Sequence, residues 1–148
     1  MRFALKRAGP PAVLAAILAG GCGPSPIAAS RIEQAIAPTF ANLVQVQISR
    51  IGLSPVAARD IRVVASCRKA VPETGVTGAG DWVCVLDWSG PNRKALRDMY
   101  DLAVGADGCY TAMVEGAEAG LGGPTIVTQG GAIVRNLLYA FDGCFDTT

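Results

Sequence analysis

The chain has 148 residues, 13 Lys and Arg against 12 Asp and Glu, and no histidine. That length holds one domain, and no block of like charge appears in it, which excludes a nucleic-acid binder with clustered cations and a polybasic membrane patch. The lack of His removes the side chain best suited to proton transfer near neutral pH and the commonest zinc ligand.

Residues 1–21 read as a secretory leader. Arg2, Lys6 and Arg7 make a basic start, Val13 to Ala19 an apolar run, and Gly20-Gly21 a small-residue end before Cys22. The apolar run is far shorter than the roughly 18 residues of a membrane-spanning helix. Ala19-Gly20-Gly21-Cys22 resembles the lipobox of bacterial lipoproteins, with Ala19 where Leu is usual. The resemblance implies that the chain is cut before Cys22 and that its thiol carries a diacylglycerol with fatty-acyl chains such as palmitate. The protein would then be held on the extracytoplasmic side of a cell membrane. The mature part keeps 10 of the 13 basic residues against 12 acidic ones, a net charge near −2. Residues 22–29, with Gly23-Pro24-Ser25-Pro26, read as a flexible tether, and residues 30–148 as a single extracytoplasmic domain.

Ser30 and Glu33 have the spacing of a helix-starting capping box. Ile32, Ile36, Phe40, Leu43, Val44 and Ile48 then recur every three or four residues, the apolar stripe of a helix lying on a core. Pro38 predicts either a kink or a break into two helices, and Gly52 a stop. From Ile61 the period becomes two. Ile61, Val63, Ala65 and Cys67 predict one strand, and Trp82, Cys84, Leu86 and Trp88 the next. Tyr100, Leu102 and Val104 alternate, Gly105 to Gly108 predicts a hairpin turn, and Cys109 to Val114 runs back. Gln129-Gly130-Gly131 is a second tight turn, and Leu137 to Phe141 a last strand. The order predicts an α+β domain in which an N-terminal amphipathic helical segment packs on an antiparallel β-meander.

Setting Cys22 aside leaves Cys67, Cys84, Cys109 and Cys144. An even set in an exported domain predicts two disulfides. Of three connectivities, Cys67–Cys84 with Cys109–Cys144 is favoured. The first pair lies on consecutive strands with matching parity. The second shares the local sequences Asp107-Gly108-Cys109-Tyr110 and Asp142-Gly143-Cys144-Phe145. Each bridge would stabilise the fold by roughly 3 kcal/mol in the chain-entropy model. No Cys-x-x-Cys knuckle supports a metal site, and no motif points to a cofactor.

The residues carry no catalytic set. Glycine-rich stretches lack the spacing and Lys of a phosphate loop, and no His activates a Ser. Asp81, Asp87, Asp98, Asp101 and Glu115 are the carboxylates that an envelope hydrolase would use. Trp82 and Trp88 share a strand face, so they either contact a ligand or lie in the core, with core favoured. The mature chain also resembles the small Ala/Gly-rich lipoproteins of actinobacteria, with four extracytoplasmic cysteines and the segment Leu138-Tyr139-Ala140-Phe141-Asp142-Gly143-Cys144-Phe145. That resemblance implies location and oxidation, not an activity. The expectation is a lipid-anchored binding or interaction module with an envelope protein or glycan partner and no nucleic acid. The alternative is a hydrolase using Asp and Glu. Carboxylates converging in a cleft would favour the enzyme, and scatter would favour the module.

Overall fold

The computed structural model describes residues 26–71, 75–90, 93–116 and 122–147. The leader and Cys22 lie outside the described residues.

One helix, α1 (Ala29–Arg50), opens the domain. Ile32, Ile36, Phe40, Val44 and Ile48 are buried along one side of it, as the sequence spacing dictates. Pro38 neither ends nor divides α1. It lies exposed, as does Gln34, whose carbonyl it leaves without an intrahelical donor, so water can take that role. The Ser30–Glu33 capping box does not form. The chain enters α1 through an extended Ala28 with no side-chain cap. Ala28 bridges Thr77, and Gly78 N–H donates to Ile27 O at 2.7 Å. These bonds fix the entry and place Ser30 within the first turn. Glu33 turns to the sheet instead, where its Oε1 accepts the Cys67 N–H at 2.8 Å. Ile27 is buried in the core, so packing begins before residue 30.

A 3-10 turn (Ala58–Asp60) leads into the strands. They are β1 (Val63–Lys69), β2 (Gly80–Ser89), β3 (Ala95–Val104), β4 (Cys109–Val114), β5 (Thr125–Val127), β6 (Ile133–Arg135) and β7 (Ala140–Cys144). Five of them form one antiparallel sheet in the order β1-β2-β3-β4-β7. β5 and β6 form a separate hairpin between β4 and β7. The last strand begins three residues later than its hydrophobic run predicts, because Asn136 makes a turn there. Its Oδ1 accepts Leu138 N–H at 3.0 Å, and Tyr139 N–H donates to Asn136 O at 3.2 Å.

α1 covers one face of the sheet. Trp82, Cys84, Leu86 and Trp88 from β2 and Tyr100, Leu102 and Val104 from β3 point under it. Phe40 is the centre of this core. Its ring meets Trp88 at 5.3 Å, Tyr100 at 5.9 Å and Phe141 at 6.2 Å between centroids. The first two contacts are edge-on, the favoured aromatic geometry. Tyr100 donates to Leu138 O at 2.6 Å. Burial, with the charge of Asp98 adding to it, holds its hydroxyl far above the ordinary tyrosine range. Burial likewise raises Tyr110; nearby Thr39 opposes the shift, and the Asp142 charge adds to it. Thr39 is not in hydrogen-bonding geometry with the Tyr110 hydroxyl, its own hydroxyl being given to Ala35 O at 2.9 Å.

Candidate functional site

The four cysteines pair as Cys67–Cys84 and Cys109–Cys144. Each pair is directly opposed across two strands, with Cα atoms 4.1 and 3.9 Å apart. That closeness is typical of non-hydrogen-bonded antiparallel pairs. In the first, Cys67 N–H points away from β2 to Glu33. The two bridges lie on opposite faces of the sheet. Cys67 and Cys84 are buried beneath α1, whereas Cys144 is exposed on the outer face. Two such bridges mark a domain that matures in an oxidising, extracytoplasmic compartment. Among the described residues, no helix is long and apolar enough to cross a membrane.

Trp82 and Trp88, the aromatic candidates for ligand contact, are both core residues, 1% and 3% exposed. Their parity puts them under α1, so neither ring offers a face to a ligand. Trp88 Nε1–H donates to Asp98 Oδ2 at 2.7 Å, and Trp82 Nε1–H to Gly78 O at 3.2 Å.

The five carboxylates are divided among separate surroundings. Asp98 is buried on the inner face. Asp87 is on the outer face, opposite Arg97, which donates to both its oxygens at 2.7 and 2.9 Å. This hydrogen bonding, helped by the Arg97 charge and opposed by desolvation, lowers the Asp87 pKa. Glu115 lies exposed beyond β4, its backbone N–H donating to Met99 O at 2.7 Å. Only Asp81 and Asp101 share a cleft.

That cleft follows from the ladder. Reading across β2, β3, β4 and β7, one row is Asp81, Ala103, Thr111 and Asp142, and the next is Val83, Asp101, Met113 and Ala140. Small side chains at Ala103, Thr111 and Ala140 leave a trough of about 610 Å³ on the outer face. Arg135 borders it, donating to Ala140 O at 2.7 Å. Asp81 and Asp142 stand three strand spacings apart, roughly 14 Å, too far for a paired-carboxylate mechanism. Asp81 and Asp101 are diagonal neighbours, roughly 7–8 Å between Cα atoms. Both are exposed. Among the described residues, no group of three His, Cys, Asp or Glu is placed to hold a metal.

Beside the trough, and sharing Met113 with it, the outer face carries an apolar stripe. Val85 and Met99 are directly paired, Val83 and Met113 lie in the next row on either side of Asp101, and Val64 is close by on β1. Met113 is 57% exposed and Val64 52%. No described element covers this face. Thr111, Met113, Arg135 and Asp142 were not among the sequence candidates. For Thr111 and Met113 the signal was available in the alternation, because every second residue of β4 must face away from the helix; Arg135 and Asp142 come from β6 and β7, whose placement the apolar period does not give. What alternation does not reveal is that the second face stays open. Comparison with protein-family models, with curated proteins and with solved structures returns no match for this chain.

Proposed function

We propose that this protein is a lipid-anchored binding module of the cell envelope, tethered through Cys22, whose open sheet face receives an envelope protein. The observation that carries the binding surface is the stripe of exposed Val64, Met99 and Met113 and half-buried Val83 and Val85, on a sheet whose other face is covered. Exposed apolar patches of this kind mark contact sites, and Met suits them because its flexible thioether adapts to a partner. The anchor rests on the basic start, the short apolar run and the small residues before Cys22. A protein suits the surface better than a glycan, since both tryptophans are buried and unable to stack on a sugar.

The test is a photo-crosslinking amino acid placed singly at Met99, Met113 or Val46 in intact cells. Val46 lies exposed on α1. A defined adduct from the two sheet positions, absent from Val46 and lost on adding Val85→Glu, is expected. Equal labelling from all three positions would contradict the assignment.

The hydrolase reading keeps one specific observation, the diagonal Asp81–Asp101 pair in the trough. Its prediction is distinct. Hydrolysis of envelope polymers would be abolished by Asp81→Asn and by Asp101→Asn, whereas the module reading requires neither residue.

A further inference from the structure

We infer that the open sheet face receives an apolar segment of its partner that carries an arginine or lysine, whose cation enters the trough and meets Asp101. This names the partner's chemistry and rests on the reading of that face as the contact surface.

Asp101 stands inside the apolar stripe. In its row of the ladder Val83 lies on one side of it and Met113 on the other, and Val85 and Met99 fill the adjacent row. A partner that covers those side chains covers the Asp101 carboxylate with them. Among the described residues, Asp101 makes no ion pair and no side-chain hydrogen bond. Taking a bare carboxylate out of water costs more than burying one apolar side chain gains. The face therefore rejects a purely apolar partner and accepts one that brings a cation to Asp101.

The trough gives that cation room. Its floor of Ala103, Thr111 and Ala140 is small enough to let a long side chain lie over it. Asp142 borders the far side, paired with Thr111, which in turn pairs with Ala103. The one cation lining the trough, Arg135, is directed to β7 by its bond to Ala140 O at 2.7 Å. The other cations of the face favour the same placement. Arg97 is committed to Asp87. Arg68 stands beyond Val83 in the Asp101 row, two strand spacings or roughly 10 Å from Asp101. It repels a second cation on the β1 side and so directs the partner's charge toward the trough.

The experiment uses the full, processed protein in detergent micelles and two fluorescent peptides of equal length, one alternating valine with arginine and one alternating valine with glutamate. Binding is read by polarisation at about 0.15 M salt, which screens charges more than about 8 Å away. The arginine peptide should bind at least about tenfold tighter than the glutamate peptide, and lose about tenfold with Asp101→Asn, as expected for one charge-assisted contact. It should keep its affinity with Asp60→Asn, an exposed carboxylate on the 3-10 turn, and weaken with Met99→Ser. Equal affinity for the two peptides, or equal loss from Asp101→Asn and Asp60→Asn, would overturn the cation at Asp101; the apolar face stands in that case if Met99→Ser weakens both peptides. Binding indifferent to Met99→Ser would overturn the face as the contact surface, and the inference with it. Binding of neither peptide would overturn the inference, and dimers that Met99→Ser dissociates would then assign the face to a second copy of this chain.

Discussion

Two glycines explain why Asp-Gly-Cys occurs twice. Gly108 has φ +82°, a conformation L side chains rarely adopt, and a Cβ there would meet Phe145 O at 2.5 Å. Gly143 sits opposite Tyr110, whose hydroxyl would lie 2.5 Å from a Cβ. One glycine makes the turn before Cys109; the other makes room for a buried ring beside Cys144. Gly108→Ala should cost about 2–4 kcal/mol, combining backbone strain with a backbone clash. Gly143→Ala should cost about 1–3 kcal/mol, the range of core overpacking. Urea unfolding at neutral pH measures both. The tyrosines set the alkaline limit. Tyr100 and Tyr110 hold their protons more tightly folded than unfolded, because burial disfavours the phenolate. Their contribution is full below the unfolded value of about 10 and is lost as pH rises above it. The melting temperature should therefore fall as pH rises above about 10. Tyr100→Phe should flatten that fall, yet cost about 1–3 kcal/mol at pH 7 by leaving Leu138 O without its donor. A slope unchanged in Tyr100→Phe would rule out Tyr100 as a source. At this scale the sequence was readable where pattern decides: apolar parity placed Trp82, Cys84 and Trp88 correctly. It was unreadable where a partner distant in sequence decides. Glu33 has capping-box spacing, but its acceptor role is set by the edge of β1, 34 residues away.

Among the elements, the long helix and the first four strands follow directly from hydrophobic period, and the two bridges from strand parity and local sequence. The segment from β5 to β7 does not, because a polar residue organises it. Asn136 is fully buried; its Nδ2 donates to Gly122 O at 3.1 Å and Gly123 O at 2.8 Å, and its Oδ1 accepts Leu138 N–H. Those bonds turn the chain and delay β7 by three residues, which no apolar pattern encodes. Asn136→Ala should cost about 2–4 kcal/mol through buried groups left unsatisfied. Asn136→Asp should cost more, by facing a carboxylate toward two carbonyls. A melt within 0.5 kcal/mol of wild type, roughly the spread of ordinary surface substitutions, would show that this turn does not depend on Asn136. The bridges should differ in access more than in strength. Their loops, with separations of 17 and 35 residues, predict about 3–4 kcal/mol each by chain entropy. Cys144 is exposed and Cys67–Cys84 is covered, so a mild dithiol should open Cys109–Cys144 first. Alkylation and peptide mapping during reduction measure the order, and loss of Cys67–Cys84 first would contradict it.

For the whole molecule, the α+β class and the pairing of the bridges were legible in the sequence, whereas the open outer face was not, since burial depends on what the chain leaves uncovered. The resulting domain has two unlike faces. One sheet face is sealed by α1 and carries the covered bridge. The other presents an apolar stripe and a trough to the surroundings. The end where the chain enters is tied to the β1–β2 connection at Ile27 and Ala28, five and six residues after Cys22. The proposed module is an oxidised domain carried by a lipid on Cys22. Intact-mass analysis of the protein extracted from membranes without reductant tests it most directly. The predicted mass is that of a chain beginning at Cys22, increased by a diacylglycerol group, with four thiol hydrogens missing and no alkylation before reduction. A mass matching an unmodified chain, or thiols that alkylate without reduction, would contradict it.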